Sequence, residues 1–168
     1  MHSKSIAMLA LAGYALAQND TQSLNATLSG NENLSNLTAL LSTVPELLAV
    51  LGGASNITIL APSNEAFAEF QNSSQAEMAT DPEYLAALLS YHVLNGTYTA
   101  SQISNTSAFV PTLLVNSSYS NVTGGQVVEA IARDDSVVFY SGLLANSTVT
   151  QAVRSPLISI VFNCTNTN

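Results

Sequence analysis

The chain predicts an α+β domain, and three observations predict it. Leucines at helical spacing dominate the first half, from Leu34 to Leu89. From Phe109 onward that periodicity disappears and short β-type runs separated by turn residues take over. Helices grouped first and strands second argue for α+β rather than an alternating, doubly wound sheet.

Residues 1–17 read as a secretory signal peptide. Lys4 supplies the positive start, Ile6 to Leu16 the apolar run, and Ala15-Leu16-Ala17 the small-x-small cleavage site. The run is too short to span a bilayer. Its removal leaves about 150 residues, one domain's worth. The formal net charge is −8, and without Lys4 the cations are Arg133 and Arg154. Such a balance disfavours nucleic acid phosphates and anionic lipid surfaces as partners.

Only 8% of residues are charged while 47% are hydrophobic, against roughly 25% charged in an ordinary soluble domain. Twelve Asn-x-Ser/Thr sequons offer a substitute source of solubility, at Asn19, Asn25, Asn33, Asn36, Asn56, Asn72, Asn95, Asn105, Asn116, Asn121, Asn146 and Asn163. In a secreted protein each is a site for a bulky surface glycan.

Residues 18–33 read as a flexible polar leader. Leu34, Leu37, Leu40, Leu41 and Val44 then mark a helix, and Pro45 opens a second one carrying Leu47, Leu48 and Leu51 and closed by Gly52-Gly53. Ile57 to Ala61 is a strand with at least one buried face, ended by Pro62, which has no amide to donate. Ser63 or Asn64 caps the helix that follows, Glu65 suits its positive end, and Phe67 and Phe70 share one core-directed face.

Asp81-Pro82 announces a further helix by cap and first-turn proline, with Leu85, Leu88 and Leu89 on its buried side. Tyr91 to Leu94 is its end or a short strand. Asn95-Gly96 forces a turn, and Thr99 to Gln102 is a capping box. The β-type runs are Phe109–Val115, Tyr119–Thr123, Gln126–Ala132, Val137–Ser141 and Thr148–Val153. Gly124-Gly125 is the strongest hairpin signal among their connections.

These segments resemble a fasciclin-like domain of the secreted fungal type over about Leu34 to Val153. Ala61-Pro62-Ser63-Asn64-Glu65-Ala66-Phe67 is similar to that family's first homology box, and Leu88 to Leu94, with Tyr91-His92 inside it, is similar to its tyrosine-histidine motif. Phe109 to Leu114, Asn121 to Gln126 and Val138 to Leu143 resemble its strand segments. The resemblance implies N-terminal helices packed on a sandwich or wedge of antiparallel and mixed strands. It also implies a single domain at 34–162, a tail at 163–168, and Asn64 as a buried hydrogen-bonding residue that holds the corner.

The family's closing box, a strand carrying a histidine and an aspartate, is matched here only by Leu157 to Cys164. Ile158, Ile160 and Phe162 alternate and form a substitute strand, so the expectation is a divergent or shortened end that leaves Ile57 and Ile59 short of part of their sheet.

Catalytic chemistry finds little to work with. Once residues 1–17 leave, His92 is the remaining histidine, no G-x-S-x-G elbow accompanies it, and a zinc site lacks ligands. The pattern reads His92 as structural in preference to catalytic. Glu65 with Glu69, and Asp134 with Asp135, are acidic pairs best explained by solvation. Cys164 has no intramolecular partner, which leaves a free thiol or a bond to another chain.

The resemblance implies a secreted, glycosylated adhesion, matrix or cell-wall-associated protein, and the residues call for no cofactor. It would bind cell-surface or matrix proteins, wall polysaccharide, or itself, through its loops and the region of Asn64, Tyr91 and His92. A small secreted carbohydrate-active or hydrolytic enzyme is the alternative.

Overall fold

A computed structural model describes residues 20–134, 136–142, 145–154, 158–162 and 165–166. The proposed signal peptide, the sequons at Asn19 and Asn163, Asp135 and Cys164 lie outside the described residues.

The helical half comprises α1 (Asp20–Ser29), a single 3-10 turn (Glu32–Leu34), α2 (Ser35–Thr43) and α3 (Pro45–Gly53). The expected leader is corrected by α1, which brings Leu24 and Leu28 to 0% and 1% exposure. Burying each stabilises the fold by about 1.5–3 kcal/mol. The sequence signal was weak because polar residues dominate this segment, and two leucines four apart are a single helical stripe. Between α2 and α3 the chain turns through 109° at Val44, just before Pro45, because proline forbids the preceding residue from continuing the helix. Among the described residues no single helix is long and apolar enough to cross a membrane.

Strand β1 (Ile57–Ala61) follows, and all five of its residues are buried. It leads into α4 (Asn64–Gln71), a 3-10 turn (Met78–Thr80), α5 (Pro82–Tyr91) and β2 (Val93–Asn95). Tyr91 to Leu94 is thus both a helix end and a strand start. Asp81 caps α5 by accepting from the Glu83 amide at 2.9 Å. At the turn after β2, Gly96 has φ +135°, and a Cβ there would stand 2.8 Å from the Tyr98 ring. The capping box on Thr99 is present and opens a 3-10 turn, Ala100–Gln102.

The β half holds β3 (Ala108–Pro111), β4 (Val127–Arg133), β5 (Ser136–Tyr140), β6 (Asn146–Thr148), β7 (Gln151–Arg154), β8 (Ile158–Phe162) and β9 (Thr165–Asn166). One sheet has the order β2-β1-β8-β7 and the other β3-β4-β5-β6-β9. The first is mixed, since β1 runs antiparallel to β2 and parallel to β8, and the second is antiparallel. The expected fold class is the one observed.

Three sequence expectations are corrected here. Residues 119–123 form no strand; they sit in a loop, where the Tyr119 ring meets Tyr84 of α5 edge-on at 6.0 Å. The tight hairpin lies between β4 and β5, where Arg133 opposes Ser136 and Asp134 adopts φ +46°. Gly124 and Gly125 instead turn the longer β3–β4 loop, at φ +95° and +103°. Finally β8 pairs with β1 along its full length, Ile57 opposite Ile158 through Ala61 opposite Phe162, so the first sheet keeps its closing strand. Main-chain hydrogen bonding does not require the family's histidine and aspartate, only an extended run in register.

Strand alternation makes β1 a wall between two cores. Ile57, Ile59 and Ala61, with Val93, face the leucines of α1, α2, α3 and α5. Leu60, with Leu94, faces Val110, Val128, Ala130, Val137 and Phe139 of the second sheet.

Candidate functional site

Asn64, Tyr91 and His92, singled out in sequence as binding or structural residues, lie near the exit of β1. At its exit, Ser63 rather than Asn64 is the helix cap, accepting from the Ala66 amide at 3.2 Å. That frees Asn64 to point back to the preceding helices. Its side-chain amide donates to the Glu32 carbonyl at 2.9 Å and to Ser35 Oγ at 3.0 Å, and its Oδ1 accepts from the Asn36 amide at 3.0 Å. Asn64 therefore fastens the start of α4 to the start of α2. It does so partly exposed rather than buried.

At the entry, Asn56, read in sequence only as a sequon, has a structural role, and Thr58 and Thr97 join it as residues the sequence did not single out. Asn56 adopts φ +61°, a conformation asparagine tolerates better than most residues. Its Oδ1 accepts from the Thr97 amide at 3.1 Å and the Thr97 hydroxyl at 2.8 Å. The fully buried Thr58 hydroxyl donates to the Gly96 carbonyl and accepts from the Tyr98 amide, each at 2.8 Å. A threonine inside an otherwise aliphatic buried strand was the available signal.

Tyr91 and His92 adjoin, their rings edge-to-face at 6.2 Å, while Asn64 has a separate set of partners. The Tyr91 hydroxyl accepts from the Gly142 amide at 3.1 Å, which ties α5 to the end of β5. Burial pushes the Tyr91 phenol above its ordinary pKa, and the Gly142 amide pulls the other way. His92 ends α5. Its Nδ1 donates to the Leu88 carbonyl at 2.8 Å, and its own carbonyl accepts from the Leu60 amide at 2.7 Å. Burial lowers its pKa, partly opposed by the Leu88 carbonyl, so the ring is neutral at neutral pH. Both residues thus hold α5 against the sheets.

The acidic pairs are surface features: Glu65, Glu69 and Asp134 are exposed. Among the described residues no group of three or more His, Cys, Asp or Glu side chains is placed to hold a metal ion. Phe67 and Phe70 share a face, with ring centroids 6.2 Å apart, but neither is buried, which corrects their expected place in the core. Of the sequon asparagines, Asn33, Asn36, Asn56, Asn72, Asn95, Asn105, Asn116 and Asn121 are exposed, and Asn146 is partly so.

The family model described as Fasciclin domain matches residues 32–159. The chain is 30% identical over 131 residues to a "Fasciclin-like arabinogalactan protein" of Arthroderma benhamiae, covering 76% of this chain and 31% of that protein. It is 32% identical over 127 residues to "Fasciclin-like arabinogalactan protein elcF" of Phaeosphaeria nodorum, covering 76% and 40%. It is 31% identical over 131 residues to "Cell surface glycolipoprotein MPB83" of Mycobacterium bovis, covering 72% and 54%. The match thus spans between about a third and a half of these relatives. Among solved structures, a FAS1 domain pair from the insect cell adhesion molecule Fasciclin I superposes with a TM-score of 0.54 at 20% identity, covering 89% of this chain and 46% of that one. That likeness is one of fold.

Proposed function

The chain belongs to the fasciclin domain family, and on that premise we propose that it is a secreted, N-glycosylated adhesion or cell-wall-associated protein that acts by binding. The observation that carries the reading is three large apolar side chains left exposed, one on β3 and two in the loop after it. Phe109 is 71% exposed, Val115 69% and Val122 42%. Apolar groups exposed to water are candidates for contact with a partner where they gather into one patch. These three lie on a chain whose net charge of −8 disfavours anionic partners.

Support also comes from the relatives, two named as fasciclin-like arabinogalactan proteins and one as a cell surface glycolipoprotein. The exposure of Asn33, Asn36, Asn56, Asn72, Asn95, Asn105, Asn116 and Asn121 is compatible with glycans, and in a weakly charged chain those glycans supply the solubility that charge does not. The partners are cell-surface or matrix proteins, or wall polysaccharide. The Tyr91 side chain is engaged with Gly142 and the His92 ring bonds within its own helix and lines an interior cleft, so neither is assigned to the adhesive surface.

Phe109→Ser tests the reading. The variant should keep the melting temperature of the parent and lose most of its retention on isolated cell walls or matrix. Unchanged retention would move the adhesive surface elsewhere. Treatment of the secreted protein with an Asn-glycan-removing enzyme should lower its mass by several glycans; an unchanged mass would remove the glycoprotein part of the proposal.

A further inference from the structure

We propose that the cleft between α4, the segment after it and α5 is a binding site for a small uncharged molecule with an apolar body and one hydroxyl group. The cleft encloses about 410 Å³, within the span of roughly 300–1,000 Å³ usual for small-molecule sites. Leu40, Pro62, Phe67, Phe70 and Leu88 line it together with His92. The apolar lining follows from α4, an amphipathic helix none of whose residues is buried. Its two phenylalanine rings face this space instead of a core.

His92 supplies the directional contact. A carbonyl oxygen only accepts, so the 2.8 Å bond from Nδ1 to Leu88 O places the ring proton on Nδ1. The other nitrogen, Nε2, is then an acceptor, and its natural complement is a hydroxyl donor on a ligand. Burial keeps the ring neutral and so preserves that acceptor. A carboxylate-bearing ligand is disfavoured by Glu69, which also lines the cleft, and by the net charge of −8.

Binding of 2-naphthol to the full secreted chain tests the proposal, with the naphthol's own fluorescence as the readout in a protein that contains no tryptophan. At pH 7.5, 2-naphthol should bind saturably. Its methyl ether, which keeps the ring system but has no proton to donate, should bind about tenfold more weakly, the worth of one hydrogen bond. 2-Naphthoate should bind more weakly still. Phe70→Ala should weaken naphthol and ether alike, and His92→Phe should abolish the difference between them. If His92→Phe does not fold, the naphthol-to-ether ratio on the parent chain decides by itself. Absence of saturable naphthol binding, equal affinity for the ether, or an unaltered affinity in Phe70→Ala would overturn the proposal. The adhesive role rests on the exposed Phe109, Val115 and Val122, so either reading can fail without the other.

Discussion

The two cores on either side of β1 share a wall but are assembled by different rules. The first is filled by leucines that arrive within one stretch of helices, Leu24 to Leu51, and is completed by Leu85 and Leu89. The second takes Leu60 and Leu94 from one sheet and Val110, Val128, Ala130, Val137 and Phe139 from the other. Local leucine stripes bury themselves with short loop closures, whereas the second core requires strands far apart in sequence to find register. The helical core is thus written locally and the β core is written in pairs.

The comparison can be broken first at its largest side chains. Phe139→Ala should cost about 3–5 kcal/mol and Leu24→Ala about 2–5 kcal/mol, measured by denaturant unfolding. Because β1 belongs to both cores, each variant should shift one shared transition. Two separated transitions would show that the cores unfold independently. An unchanged midpoint for Leu24→Ala would contradict the place of α1 in the core.

The polar fastenings at the ends of β1 come next. Thr58→Val should cost about 1–3 kcal/mol, because it leaves the Tyr98 amide and the Gly96 carbonyl without their buried partner. Ser63→Ala should cost about 1 kcal/mol by removing the cap of α4. If the two losses came out equal, the distinction between a fully buried hydroxyl that serves two main-chain partners and a cap that serves one would collapse.

The smallest effect is one of pH. The pKa of His92 in the folded chain is below its unfolded value, so unfolding takes up a proton. Its contribution to stability is complete above the unfolded pKa, about 6.5, and is lost as pH falls from there through the folded value. Melting temperatures of the parent should therefore decline over that interval more steeply than those of His92→Gln. Parallel pH profiles would show that His92 does not carry the difference.

Much of the fold was legible in local pattern. Pro45, the Pro62 stop, the Asp81 cap and the Thr99 capping box each act over three or four residues, and each marks an element where it was expected. Asn64 was legible as a corner residue, but its partners Glu32, Ser35 and Asn36 lie about thirty positions upstream, beyond the reach of any periodicity. The helix at Asp20–Ser29 was hidden for a related reason: two leucines amid polar residues specify a helix only when other helices offer a surface to cover.

Residues 119–123 show the converse error. Tyr119 and Val122 have strand-like character, yet strands need partners, and the chain uses Tyr119 to dock on Tyr84 instead. In the same way the Gly124-Gly125 signal does mark a turn, but a turn inside a long loop rather than the tip of a hairpin.

The sequence by itself determined the class of the domain, the order of most of its elements and the family it belongs to, because caps, turns and hydrophobic spacing act between near neighbours. Tertiary structure alone decided that β8 closes the sheet on β1, that β1 serves two cores, and that Phe67, Phe70 and His92 surround a cleft. Those outcomes depend on contacts between distant segments, whose formation is settled by which surfaces meet and not by the residues of either segment alone.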